Sequence, residues 1–296
     1  MEYYQGMLHC SWKDGCPRYI FSSDDNRKFF IMTDFIKVES INDNVVDYVY
    51  TFHYNDSNLL GRMSVSTSME LCPHGTQIME TKFVLCMNDC NYNKQYTHTL
   101  DQTPKKNKGL SKNYRTRSYD MRFCAIQENL VVPKLELAAI VVRDHISKNE
   151  TEIGGWGLKF LKKDIQCESC KQRGSMSVIV PAGFHGGPRT RNVGGPSSLV
   201  ERWRNGGSCD CGGWDLGCPL TVLHAGSNNQ DGIVGQSFSF DLFAQGSKQI
   251  LPVLTMVKVR DGLYDLRFKS TLSPMQSLSI AVAAIHSRSP ILRPIL

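Results

Sequence analysis

The sequence predicts a mostly β protein, an antiparallel β-sandwich with one or two short α-helices. Three observations carry this reading. About ten short runs rich in Val, Ile, Tyr and Phe recur along the chain with turn signals between them, the pattern of a sandwich or barrel. Two of these runs flank Arg260-Asp261-Gly262, where Asp-Gly suits the positive φ angles of a tight hairpin turn. Nowhere do strands alternate with helices as in a doubly wound sheet.

Taken in order, residues 18–23 and 28–33 are β-prone and joined by the polar turn Ser22-Ser23-Asp24-Asp25-Asn26. Residues 45–54 are rich in Val and Tyr, which pack well on a pleated surface. Residues 77–87 follow. Residues 135–143 are almost continuously apolar and are expected to be buried on both faces. Shorter candidates lie at 156–161, 176–180 and 220–223, before the hairpin of 253–259 and 263–269. Ser198-Leu199-Val200-Glu201 is a capping box, with Pro196 before it and Gly206-Gly207 where its helix should stop. Ser273-Pro274-Met275-Gln276 opens a second helix with proline at the first helical position. Met275, Leu278, Val282 and Ile285 then fall on one helical face. Alternation at Leu278, Ile280, Val282 and Ala284 would instead make a strand, and the helix is favoured.

The chain has 296 residues, 41% apolar and 21% charged, which is ordinary globular usage, so disorder throughout is excluded. It reads as one β-rich domain over 1–296. No window reaches the roughly 18 apolar residues that a membrane span needs, and no transmembrane segment is expected. Met1-Glu2-Tyr3-Tyr4-Gln5 lacks the basic start and apolar core of a signal peptide, so an intracellular protein of the nucleus or cytoplasm is expected.

The formal charge of +6 is concentrated. Residues 101–122 hold Lys105, Lys106, Lys108, Lys112, Arg115, Arg117 and Arg122 against Asp101 and Asp120, a local balance of +5. This stretch has too little apolar surface to order itself and is expected to be a mobile loop. It suits an acidic protein partner, an acidic membrane surface or the nuclear import machinery. The plainer alternative is a solvated loop. Two tyrosines among the cations are too few for a stacking platform, so nucleic acid is not expected.

Of 11 cysteines, five are Cys167, Cys170, Cys209, Cys211 and Cys218. In a reducing compartment, a disulfide framework is the poorer reading. Cys167 and Cys170 have the spacing of a zinc knuckle, whereas the later three are irregularly spaced. The set is a candidate structural zinc site, with His185 or His224 able to replace a sulfur. The alternative is that the thiols act as small buried hydrophobes. Cys209 with His185 would be the candidate pair for a cysteine-dependent enzyme. No nucleophile elbow, phosphate loop or dinucleotide-binding glycine pattern is present.

Pro196-Ser197-Ser198-Leu199-Val200-Glu201-Arg202-Trp203, continuing through Gly206-Gly207-Ser208-Cys209-Asp210-Cys211-Gly212-Gly213-Trp214-Asp215-Leu216-Gly217-Cys218, resembles the plant family catalogued as domain of unknown function 3527. The stretches 48–53, 155–161, 240–243 and 279–296 are similar as well. The resemblance implies a plant protein and carries no established activity. The chain begins almost at the domain, as a short or truncated member would. The expected architecture, a sandwich loosely like a C2 domain, is a fold analogy and does not carry function. A large β core with no catalytic signature points to a non-enzymatic interaction or scaffold module.

Overall fold

The computed structural model describes residues 2–23, 30–38, 48–54, 58–71, 77–87, 135–146, 175–182, 197–206, 219–226, 238–246 and 251–292. Among them are twelve strands: β1 (Tyr3–Lys13), β2 (Cys16–Ser23), β3 (Phe30–Lys37), β4 (Tyr48–Tyr54), β5 (Asn58–Leu71), β6 (Gln77–Met87), β7 (Glu136–Ile146), β8 (Ser175–Pro181), β9 (Leu220–Ala225), β10 (Ser239–Ala244), β11 (Leu254–Arg260) and β12 (Leu263–Lys269). Two helices accompany them, α1 (Leu199–Arg204) and α2 (Pro274–Arg288). The expected strand at 156–161 lies outside the described residues.

Every strand pairs antiparallel with its neighbours in sequence, and β1 closes on β12 from Tyr3↔Lys269 to His9↔Leu263. The fold is therefore a closed up-and-down barrel, which corrects the expected sandwich. Alternating hydrophobicity reports that one face of a sheet is buried. It does not distinguish a face pressed on a second sheet from one curled upon itself.

The inward rows follow the pleat. Leu8 and Phe21 are registered partners on β1 and β2, Tyr50 and Met63 on β4 and β5, Ile140 and Val178 on β7 and β8, and Leu254 and Phe268 on β11 and β12. All eight are buried in one core. A barrel of twelve strands is wider than the eight that side chains alone can fill. The remaining lumen is filled by α2.

Two observations place the helix there. Leu278, Ile280, Ala281, Val282 and Ala283 are all fully buried, although they point in every direction around the axis. The helix also reaches opposite walls. The His286 ring lies 5.3 Å from Tyr48 on β4 and 5.2 Å from Phe83 on β6. Arg288 lies over Phe240 on β10, which stands across the ring from β4. The expected apolar stripe of Met275, Leu278, Val282 and Ile285 is thus one side of a helix sheathed all round, as P-M-Q-S-L-S-I-A-V-A-A-I permits. Small Ser and Ala positions let the strands approach. Ser277 and Ser279 donate to the helix carbonyls of Ser273 and Gln276, at 3.0 and 2.7 Å, so their hydroxyls are satisfied in the core. The capping box is complete: Ser273 Oγ accepts from the Gln276 amide at 3.2 Å, and Gln276 Oε1 accepts from the Ser273 amide at 2.8 Å.

The β1–β2 turn is Asp14-Gly15, with φ of 52° and 76°, the two positive angles of a type I′ hairpin. At the expected hairpin of β11 and β12 only Gly262 is positive, at 71°, and a register shift between Lys258 and Arg260 supplies the remaining twist.

Candidate functional site

The outward faces of β7 and β8 are covered. Ala139, Val141 and Ile179 point away from the lumen and bury Leu199 and Val200 of α1. This explains why β7 is apolar on both faces. The helix starts at the Ser198 capping box, where Ser198 Oγ accepts from the Glu201 amide at 3.2 Å and Glu201 Oε2 accepts from the Ser198 amide at 2.9 Å. Glu136 of β7 fixes this end against the wall by accepting from the Leu199 amide at 2.7 Å.

The other end of α1 reaches a charged cluster. Glu80 points outward from β6, yet its side chain is 0% exposed, because three cations cover it. Arg143 Nε, from the registered partner position on β7, donates to Oε2 at 2.8 Å. Lys82, two residues along β6, places Nζ 3.2 Å from Oε1. Arg204, in the last turn of α1, donates to the same oxygen. Burial opposes ionisation of Glu80, but hydrogen bonds from Arg143 and Arg204 more than offset it and hold the carboxyl below its ordinary range. One carboxylate thus gathers three cations whose side chains remain 28%, 41% and 36% exposed for Lys82, Arg143 and Arg204. Counted over the described residues, the cluster carries a surplus of two positive charges. Among the described residues Glu80 is the only ion-pair partner of each.

The lumen holds a second polar group. The Tyr50 hydroxyl and His286 Nδ1 lie 2.7 Å apart, both residues almost fully buried. Burial pushes the imidazole down to about 4, so the ring is neutral, and one hydrogen bond joins it to the hydroxyl. Burial drives the Tyr50 phenol above its ordinary range. A narrow pocket lined by Thr67, Thr81, Asp144, His286 and Leu292, among others, has room for about one water molecule. Cys10 is also buried, and its thiol is pushed up to about 11, which keeps it protonated and unreactive.

Lys105, Lys106, Lys108, Lys112, Arg115 and Arg117 lie outside the described residues, as do Cys167, Cys170, Cys209, Cys211, Cys218 and His185. His224 of β9 is described. Its Nδ1 lies 3.1 Å from Ser177 Oγ, and its Nε2 lies 3.3 Å from Gln245 Oε1. Among the described residues, no group of three His, Cys, Asp or Glu side chains is placed to hold a metal ion. No helix among them is long and apolar enough to cross a membrane. Sequence reasoning missed Glu80, Lys82, Arg143 and Arg204. The local signal was Glu-Thr-Lys on one strand, which puts two opposite charges on the same face. Their convergence with Arg143 depended on the β6–β7 register, and with Arg204 on where α1 docks.

These features define a helix-filled, closed antiparallel barrel with a cationic cluster on its outer wall. The family model described as Domain of unknown function (DUF3527) matches residues 2–122 and 99–288, and the chain belongs to that family. No curated protein matches it.

Proposed function

We propose that the chain is a non-enzymatic interaction module that meets its partner through its outer surface and its connecting segments. The supporting observation is the occupied lumen. Wide barrels that act on small molecules commonly use the cavity inside, and here α2 occupies that space and shares one core with the inward side chains of the strands. Binding then falls to the exterior. The basic segment at 105–117 is the part with the charge to recruit an acidic protein, an acidic membrane surface or the nuclear import machinery.

The test is a fluorescent fusion of the full chain in which Lys105, Lys106 and Lys108 are all replaced by Gln. Loss of nuclear or membrane enrichment supports the reading. An unchanged distribution assigns the segment to solvation alone.

A further inference from the structure

We propose that Lys82, Arg143 and Arg204 form a binding site for a phosphoryl oxyanion, a proposal that uses none of the basic segment's residues and is independent of the preceding reading. The chemistry is set by charge and donor count. Three cations from β6, β7 and α1 converge on one buried carboxylate, which leaves two positive charges unbalanced among the described residues. Like charges held this close repel, and a further anion relieves that repulsion. Arg143 spends its Nε on Glu80, and Arg204 spends one terminal nitrogen. Their other guanidinium donors make no hydrogen bond to described residues, and both side chains remain partly exposed.

Two partly exposed guanidinium groups and an ammonium suit a dianion with several acceptor oxygens. A phosphate monoester has both properties, while a single carboxylate matches neither the charge nor the oxygen count. Glu80 is the positioning residue. It fixes the three cations at the spacing the oxyanion meets, so that less side-chain freedom is lost on binding.

The ligand is either a free phosphate or a lipid headgroup, and the experiment separates them. The purified full chain is titrated calorimetrically with inorganic pyrophosphate at about 0.15 M salt. It is also floated with phosphatidylcholine vesicles, with and without phosphatidic acid. Saturable one-to-one pyrophosphate binding identifies a soluble phosphate. Flotation confined to phosphatidic acid vesicles, without pyrophosphate binding, identifies a headgroup. In either case Lys82→Gln and Arg143→Gln should each weaken binding about tenfold, the worth of one charge-assisted hydrogen bond. Replacing Lys105, Lys106 and Lys108 should leave it unchanged.

Glu80→Gln separates a built site from general attraction. It raises the local charge but releases the three cations, so a built site binds more weakly and a diffuse field binds more tightly. Tighter binding by Glu80→Gln overturns the proposal, as does absence of binding in both assays or indifference to Lys82→Gln. If Glu80→Gln fails to fold, Lys82→Gln, which leaves the Arg204 contact in place, decides the question.

Discussion

Acid should loosen the barrel through His286, and the size of the effect follows from its surroundings. The ring is 3% exposed, lies edge-on to Tyr48, Tyr50 and Phe83, and is hydrogen-bonded to the Tyr50 hydroxyl. Burial lowers its pKa from 6.5 to about 4. The unfolded chain therefore takes up a proton that the folded chain refuses. Stability is complete above pH 6.5, falls as the pH drops, and levels off below about 4. A gap of about 2.5 pH units at about 1.36 kcal/mol per unit makes the loss about 3 kcal/mol. The imidazolium would keep Tyr50 as its neighbour, but a phenol that stays neutral cannot balance the charge.

Urea unfolding of the full chain, followed by tryptophan fluorescence at steps from pH 7.5 to 4.5, measures this slope. His286→Gln retains an acceptor for Tyr50 and removes the titration, so its profile should be nearly flat between pH 6.5 and 5. Its stability at pH 7.5 should be somewhat lower, because the edge-on ring contacts are lost. Glu80 also loses stabilisation in acid. Its folded pKa lies below the ordinary carboxylate value, so its loss begins lower on the scale and does not mimic the window above pH 5. A His286→Gln variant with the wild-type slope above pH 5 would falsify the assignment of acid sensitivity to this ring.

Two further perturbations test the barrel itself. Gly15 and Gly262 both have φ above 70°, but a Cβ on Gly15 meets open space while one on Gly262 sits 2.5 Å from the Cys10 carbonyl oxygen. Gly15→Ala should cost about 1 kcal/mol from backbone strain alone. Gly262→Ala should cost about 3 kcal/mol or more, because it also pushes apart the seam where the Cys10 amide donates to the Gly262 carbonyl at 2.7 Å. Equal losses in urea titrations would mean that the seam is not tightly held. On α2, Ala281→Leu overfills a fully buried position and should destabilise by about 1–3 kcal/mol. An increase in stability would place α2 on a surface rather than in the lumen.

Much of the wall was legible from the sequence because each strand carries its own alternation and its own turns. The spans 77–87 and 263–269 match β6 and β12 to the residue. Both capping boxes were readable, since the signal lies within four residues. β5 was not. Its outward positions are Ser64, Ser66 and Ser68, and its inward Met63 and Val65 give too few apolar residues to stand out. What holds it is pairing on both sides, with eleven registered partners on β6 alone. The Asp-Gly at 14–15 was passed over for the one at 261–262, although only the first has positive φ at both residues.

Closure and the cationic cluster were illegible for one reason. The sandwich and the barrel share every strand and turn of the sequence pattern, and differ in whether residue 3 lies beside residue 269. Nothing local encodes that pairing. The hint was α2, whose apolar residues satisfy a helical face and a strand alternation at once. A helix that fits both patterns is apolar all round, and such a helix needs an enclosure rather than a surface. The charge follows the same logic. Counting residues along the chain finds the basic segment at 101–122, because its cations are adjacent. Arg143 and Arg204 lie 63 and 124 positions from Glu80, so the three contribute nothing to any window. The β6–β7 register places Arg143 beside Glu80, and docking α1 on the outer face of β7 brings Arg204 to them. A chain whose charge, counted along the sequence, falls in one segment therefore carries a second concentration that only its fold creates.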